Sequence, residues 1–165
     1  MSAITIHTRS GGTDPITDHL ATARRYAARP QDWPLAPRFD PRRRWYHRLA
    51  SVAGGEVWIL SWLPGQGTDL HDHGGSAGAF LVVSGVLTEA TLTATTTTDR
   101  LSRRRYATGQ GRSFGRRHIH QITNAGTEPA VSVHVYSPAL RAMTRYEIAG
   151  GRLAVTAVER AGADW

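Results

Sequence analysis

Three histidines offer the clearest chemistry in this sequence. His71 and His73 are separated by one residue, so on an extended strand both imidazoles point to the same side. Gly65 precedes the pair, and a second glycine-punctuated segment further along the chain carries His120. Two imidazoles from one strand and one from a later strand can converge on a single metal ion. The spacing therefore predicts a mononuclear metal site at the mouth of a small β-barrel.

Other acidic and histidine residues near these motifs have simpler interpretations. His118 shares a strand face with His120, which makes it either a neighbour of the metal site or an ordinary rim residue. Asp72 points away from the flanking histidines, so we expect it to support them indirectly or to stabilise the turn. Glu89 and Glu128 lie outside the ligand positions, and the sequence assigns them no catalytic role.

A second set of polar residues alternates along AVSVHVYSP. Ser132, His134 and Tyr136 project from one face of this predicted strand, and burying them would be costly without hydrogen-bond partners. They form either a satisfied polar cluster in the core or a hydrogen-bond relay beside a reacting ligand. The histidine pair elsewhere in the chain favours the relay.

Composition limits the class of protein. The 165 residues fit one domain spanning 1–165, with a helical and irregular N-terminal segment over 1–41 and a β-barrel over 42–165. The chain has no cysteine, which excludes disulfides and thiolate metal sites and fits a reducing compartment. The opening MSAITIHTRS has no apolar stretch behind a basic start, and no apolar run is long enough for a bilayer. We therefore expect a cytoplasmic protein without membrane association, either a monomer or a weak homo-oligomer.

The strong positive charge has a simpler explanation than nucleic-acid binding. The net charge is +7, and all twenty basic residues are arginine. The arginine runs at 42–44, 103–105 and 116–117 are short, lie in different segments and lack interleaved aromatic residues. We expect solvated loops and strand ends there, and no nucleic-acid partner.

The elements that must position these residues are one helix and many short strands. Asp14 and Pro15 predict the start of a helix, and Pro30 predicts its end. One face of this helix carries an apolar stripe, formed by Ile16, Leu20, Ala23 and Tyr26 or Ala27. From residue 42 onward, short runs separated by glycine and proline predict a mainly β fold. VWILSW and AFLVV are apolar on both faces, which indicates strands packed inside a closed barrel.

The histidine segments resemble the two motifs of the cupin superfamily. Positions that match are Gly65, His71, His73, Gly85, Gly109, His120 and Asn124. Gly78 stands where that motif carries a glutamate ligand, and Gly115 replaces a proline. The resemblance implies a single jelly-roll-like cupin barrel with His71, His73 and His120 as metal ligands. Three neutral imidazoles leave the metal charge uncompensated, so such a site favours an anionic ligand such as a thiolate.

Loss of that glutamate is typical of the thiol dioxygenase branch, and residues 46–138 resemble the cysteine dioxygenase family, especially around HDH and in EPAVSVHVYSP. The resemblance implies Fe(II) as cofactor, L-cysteine and O2 as substrates, and cysteine sulfinic acid as product. It makes Ser132, His134 and Tyr136 the catalytic relay, with a cis bond at Ser137–Pro138. Animal members cross-link a cysteine to the tyrosine. Gly78 occupies that position here, as in bacterial members without the cross-link.

The same resemblance assigns substrate binding to Arg48, whose planar guanidinium would pair with the amino acid's carboxylate, and to Tyr46 on the same strand face. A glutamine stands at this position in the related 3-mercaptopropionate dioxygenases, so arginine favours cysteine. The alternatives are a dioxygenase of another small thiol, such as 3-mercaptopropionate, and a non-catalytic metal-binding cupin sensor.

Overall fold

The computed structural model describes residues 18–94 and 98–161. These residues begin with α1 (His19–Ala27) and a short 3-10 turn (Pro30–Asp32). The strands that follow are β1 (Tyr46–Val52), β2 (Gly55–Trp62), β3 (Leu70–His71), β4 (Ala77–Ser84), β5 (Val86–Ala94), β6 (Asp99–Ala107), β7 (Gly111–Phe114), β8 (His120–Thr123), β9 (Ala130–Ser137), β10 (Ala142–Ala149) and β11 (Arg152–Arg160). The mainly β fold predicted from the sequence is confirmed.

The strands form two antiparallel sheets. One sheet has the order β1-β2-β9-β4-β7, and the other has the order β11-β10-β3-β8-β5-β6. The main core lies between them, because Trp62 and Phe80 of the first sheet pack with Leu87, Tyr106 and Ile122 of the second. The two-layer architecture encloses one interior, as a jelly roll does.

A second apolar layer explains why β2, β4 and β9 are hydrophobic on both faces. Val57, Leu81 and Val133 point away from the interior and pack with Ala23 of α1. Strands of this central part are therefore buried on one side by the opposite sheet and on the other by the helix. The double apolar character therefore reflects the packing of α1 on the outer face, and not only the barrel closure that the sequence predicts.

The helix begins later than its sequence signals suggested. The Asp18 carboxylate caps α1 by accepting the Ala21 N–H at 2.9 Å. The predicted cap at Asp14 and the following Pro15 lie outside the described residues. Within α1, Ala23 is fully buried, and Leu20 and Tyr26 pack beside it, as the stripe predicted.

Short strands bring the histidine segments together. β3 contains only two residues and lies between β10 and β8, with His71 directly opposite His120. His73 follows the end of β3 and does not belong to the strand, so its orientation comes from the following turn. Among the residues described here, no helix has the length and apolar character needed to cross a membrane.

Candidate metal centre and substrate cavity

The three predicted ligands meet in the interior. His71, His73 and His120 each offer a ring nitrogen, and these nitrogens lie within 4.8 Å of one another. The ring centroids are 4.9 to 5.0 Å apart, and all three side chains are buried. One cation can therefore contact all three imidazoles.

The hydrogen bonds of two of these histidines determine which nitrogen is free. His71 Nδ1 lies 2.9 Å from the Asp69 carbonyl oxygen, and His120 Nδ1 lies 2.8 Å from Glu89 Oε1. Both partners can only accept, so each Nδ1 carries the hydrogen and each Nε2 keeps its lone pair. Neither nitrogen of the buried His73 has a hydrogen-bond partner among the described residues. A buried, unpartnered imidazole is the environment that a metal ion would complete.

The electrostatics keep these rings neutral. Burial lowers the pKa of His71 and His73 well below the usual range, and the neighbouring imidazoles lower it further. Burial also lowers the pKa of His120, although the hydrogen bond to Glu89 opposes that change. Neutral imidazoles with available lone pairs suit a divalent transition metal. The donor set present therefore fits a metal ion.

Glu89 supports this centre, although the sequence analysis assigned it no role. Its buried carboxylate accepts hydrogen bonds from His120 at 2.8 Å, His118 at 3.0 Å, Tyr106 at 3.1 Å and Arg112 at 3.2 Å. Burial alone would raise the pKa of Glu89, but the hydrogen bonds from the two histidines and the nearby Arg112 hold it well below its usual range. Glu89 is therefore an anion that orients a predicted ligand.

A sequence signal for Glu89 did exist. It shares the inward face of β5 with the fully buried Leu87, and a carboxylate on a buried strand face needs partners. His118 belongs to the same network and stacks on Phe114, with ring centroids 5.1 Å apart. His118 is thus connected to His120 of the metal centre through their shared hydrogen-bond acceptor, Glu89.

The polar residues of β9 form a hydrogen-bonded chain that begins at Trp62. The Trp62 Nε1–H donates to Ser132 Oγ at 2.9 Å, and Ser132 Oγ lies 2.9 Å from His134 Nε2. The His134 Nδ1 lies 3.2 Å from the Tyr136 hydroxyl. All four side chains are buried.

This chain has a direction. The indole N–H can only donate, so the Ser132 hydrogen has His134 Nε2 as its acceptor among the described contacts. The neutral imidazole then carries its hydrogen on Nδ1 and donates it to the Tyr136 oxygen. As a result, the Tyr136 hydroxyl hydrogen is left for a ligand in the cavity.

The pKa values agree with this assignment. Burial, with smaller contributions from the neighbouring His120 and the positively charged Arg44, lowers the pKa of His134 to about 3, so its imidazole is neutral at neutral pH. Burial raises the pKa of Tyr136 well above its usual range, so the phenol keeps its hydrogen. The relay ends in a hydroxyl that can donate.

A cavity joins the histidines to the relay. The residues that line it are Arg44, Tyr46, Trp58, Leu60, Trp62, Thr68, His71, His120, Ile122, His134, Tyr136, Leu140, Met143 and Arg145. This lining contains no aspartate or glutamate. The cavity is therefore aromatic and cationic, which suits a small anionic ligand.

The two residues predicted to bind substrate occupy different parts of the cavity entrance. Tyr46 lines the cavity itself, whereas Arg48 lines an adjoining pocket that shares Tyr46, Trp58 and Leu140 with it. The Arg48 side chain is 55% exposed, and its Nη1 lies 3.7 Å from Glu56 Oε2. The Glu56 carboxylate is itself fixed by the Leu140 N–H at 2.9 Å, so it holds Arg48 at the rim. Arg44, which the sequence analysis expected in a solvated run, lies in the cavity instead.

A comparison with protein families places this chain. The model of the family described as cysteine dioxygenase type I matches residues 16–149. The chain belongs to the cysteine dioxygenase type I family. The match covers α1, every ligand histidine proposed above and the whole relay. Cysteine dioxygenase type 1 of Homo sapiens is 31% identical over 125 residues, covering 68% of this chain and 60% of the relative. The chain spans less than two thirds of the length of the curated relatives that it matches.

Solved structures confirm the fold. A recombinant oxalate oxidase in complex with glycolate aligns with a TM-score of 0.54 at 17% identity, covering 65% of this chain and 57% of that chain. A sugar phosphate isomerase from a cupin superfamily, from Silicibacter pomeroyi, aligns with a TM-score of 0.50 at 18% identity, covering 73% and 78%. The predicted cupin fold is confirmed. The Ser137–Pro138 peptide bond is cis, as the family resemblance implied.

Proposed function

We propose that this member of the cysteine dioxygenase type I family is an iron(II)-dependent thiol dioxygenase. It oxidises the thiol of L-cysteine with O2 to cysteine sulfinic acid, and both oxygen atoms of O2 are transferred to sulfur. The observation that carries the proposal is a cluster of three buried neutral histidines, two of which, His71 and His120, line the same cavity as His134 and Tyr136 of the relay. Family membership supports the reaction type.

In this proposal His71, His73 and His120 hold the metal, and Glu89 keeps His120 in the tautomer that leaves Nε2 free. Bound iron(II) would supply a Lewis acid that lowers the pKa of the thiol and an electron source for O2. The protein orients the thiol within the cavity, where Tyr46 and Trp58 form part of the wall.

The relay stabilises the negative charge that develops on oxygen during the reaction. Tyr136 donates its hydroxyl hydrogen to the oxygen atoms that are being transferred, because its own oxygen is already bonded to His134. Ser132 and Trp62 keep His134 in the required tautomer and orientation. These catalytic roles of Tyr136, His134 and Ser132 are part of the proposal.

A second substrate is favoured by one observation. Among the residues that the structure describes, no carboxylate lines the cavity, so a free ammonium group would find no anionic partner in this lining. A thiol carboxylate without an amine, such as 3-mercaptopropionate, avoids this cost. Cysteine avoids it only if its amine binds the metal in neutral form.

Oxygen uptake with three thiols tests the proposal. The protein is loaded anaerobically with Fe(II), and O2 consumption and sulfinate formation are measured with cysteine, 3-mercaptopropionate and cysteamine. Sulfinate from cysteine, lost in His120→Ala and absent after loading with Zn(II), is the expected result. Metal binding without any sulfinate would instead favour the non-catalytic sensor. The cytoplasmic location and the monomeric or weakly oligomeric state remain predictions.

A further inference from the structure

A methionine forms part of the cavity wall. Met143 of β10 lines the cavity together with His71, His120 and Tyr136. Its side chain is partly buried and packs against the main core. Methionine often fills irregular gaps inside a core, but this one also borders the space that a ligand would occupy. The proposed function does not use its sulfur.

The backbone pairing brings Met143 next to the metal ligands. β10 pairs with the strand that carries His71, and the following residue, Asp72, donates its N–H to the Thr144 carbonyl at 3.0 Å. In an antiparallel register the next residue along one chain faces the preceding residue of the other. Met143 therefore lies opposite His73, and its thioether belongs to the immediate surroundings of the three ligand histidines.

The cavity offers donors for an oxidised sulfur. Its lining contains no aspartate or glutamate among the described residues. Three buried N–H groups that belong to cavity-lining arginines have no hydrogen-bond partner there, namely Arg145 Nε, Arg44 Nε and Arg44 Nη1. A thioether accepts hydrogen bonds weakly, whereas oxidation makes the side chain polar. Oxidation of Met143 therefore adds an acceptor where donors lack one, and avoids the usual cost of a polar group in a core.

We propose that Met143 is an oxidation site of this metal centre, and that its sulfoxide blocks the binding of thiols. The inference rests on the proposed function for the identity of the metal, and the oxidant is hydrogen peroxide that enters the cavity when no thiol fills it. One oxygen atom passes from peroxide to the Met143 sulfur, so that an S–O bond forms, the O–O bond breaks and the other oxygen leaves as water with both protons. Sulfur loses two electrons and the peroxide gains them. The change is reversible, because sulfoxides can be reduced back to methionine.

Mass spectrometry of peroxide-treated protein tests the oxidation step. The chain has one other methionine, Met1, so a sulfoxide at Met143 is assigned directly. Val155→Met supplies a comparison methionine at a position that is 60% exposed. The same limiting amount of peroxide is added to iron(II)-loaded and to metal-free protein, without thiol. Iron should accelerate oxidation of Met143 by about 10-fold or more, because the oxidant is activated beside the sulfur. The methionine introduced at position 155 should react at the same rate in both samples.

Two outcomes of this measurement would overturn the inference. The first is an equal rate at Met143 with and without iron. The second is an equal acceleration at position 155, which would mean that iron releases a diffusible oxidant. Addition of 3-mercaptopropionate before peroxide should protect Met143, since the thiol then occupies the cavity. Circular dichroism shows that the fold persists in each sample.

A binding measurement tests the effect of the sulfoxide and separates it from the proposed function. Peroxide-treated protein is stripped of iron, reloaded with Zn(II) and titrated with 3-mercaptopropionate. Binding should be about 10-fold weaker than for untreated protein, because the sulfoxide takes space and hydrogen-bond donors in the cavity. Met143→Leu keeps a similar apolar volume without sulfur, and should bind equally well before and after the treatment. The same weakening in Met143→Leu would refute the blocking role. If Met143 is oxidised as expected but no thiol gives a sulfinate, the dioxygenase proposal fails and the oxidation site stands.

Discussion

The Trp62 Nε1–H donates to Ser132 Oγ across 2.9 Å, and both residues are buried between the sheets. This bond fixes the direction of the hydrogen-bonded chain, because the indole cannot accept. Ser132→Ala should leave the Trp62 N–H unpaired and cost about 1–3 kcal/mol of stability, measured by urea unfolding. It should also allow His134 to adopt either neutral tautomer, and nitrogen-15 chemical shifts of the imidazole would report this change.

A double-mutant cycle isolates this pair. In a Trp62→Phe background no donor remains to be stranded, so Ser132→Ala should cost less there than in the wild type. Equal costs in the two backgrounds would mean that the Trp62–Ser132 bond contributes little.

Glu89 should control metal affinity. Glu89→Gln keeps the shape of the side chain but removes the negative charge that accepts from His118 and His120. Loss of such a supporting carboxylate typically lowers metal affinity 10- to 100-fold. Competition with a chelator measures this without any turnover. Glu128→Gln, at an exposed position, is the matched control and should bind metal as the wild type does.

Asp72 should stabilise the fold by connecting the histidine segment to β10. Its carboxylate accepts from the Gly74 N–H at 3.0 Å, the Thr144 N–H at 3.1 Å and the Tyr146 hydroxyl at 2.7 Å. Asp72→Ala should lower the free energy of unfolding by about 2 kcal/mol, since the side chain is partly exposed. Tyr146→Phe removes one of these bonds and should cost about half as much. A loss in Asp72→Ala no larger than that in Tyr146→Phe would contradict the role of the two backbone bonds.

His134 should make the fold sensitive to acid. Its pKa is about 3 in the folded protein and about 6.5 in an unfolded chain, so below pH 6.5 the unfolded state binds the additional proton. Stability is therefore full above pH 6.5 and falls as the pH decreases toward 3, by up to about 1.4 kcal/mol per pH unit from this residue. Urea unfolding at pH 7 and pH 5 should show a shallower loss in His134→Asn, which does not titrate here. Identical slopes for the two proteins would rule the mechanism out.

Much of the fold follows from local pattern. The segments VWILSW, AFLVV and AVSVHVYSP correspond to β2, β4 and β9, because short apolar or alternating runs bounded by glycine and proline are local signals. The relay residues share a face for the same reason. The histidine motif is recognisable from the sequence because its histidines and flanking glycines lie close together along the chain at characteristic spacings.

The remaining features depend on contacts between distant segments. Arg44, just before β1, and Arg48, within β1, lie an even number of positions apart, and alternation does not reveal which of them lines the cavity. The β1–β2 register and the carboxylate of Glu56 decide that. Similarly, Glu89 lies beside His120 only because β5 pairs with β8, and the local sequence of either strand does not predict this pairing.

The lack of a side chain at Gly78 has a consequence for how Tyr136 is held. Gly78 is the cross-strand partner of both Tyr136 and Phe114, and an added Cβ would collide with the Val135 carbonyl and approach Phe114 Cζ to 2.8 Å. A single change to cysteine therefore cannot install the covalent tether of the animal enzymes without moving the backbone. The aromatic ring of Phe114 lies directly beside Gly78, so a larger side chain at this position would require coordinated changes in β4, β7 and β9.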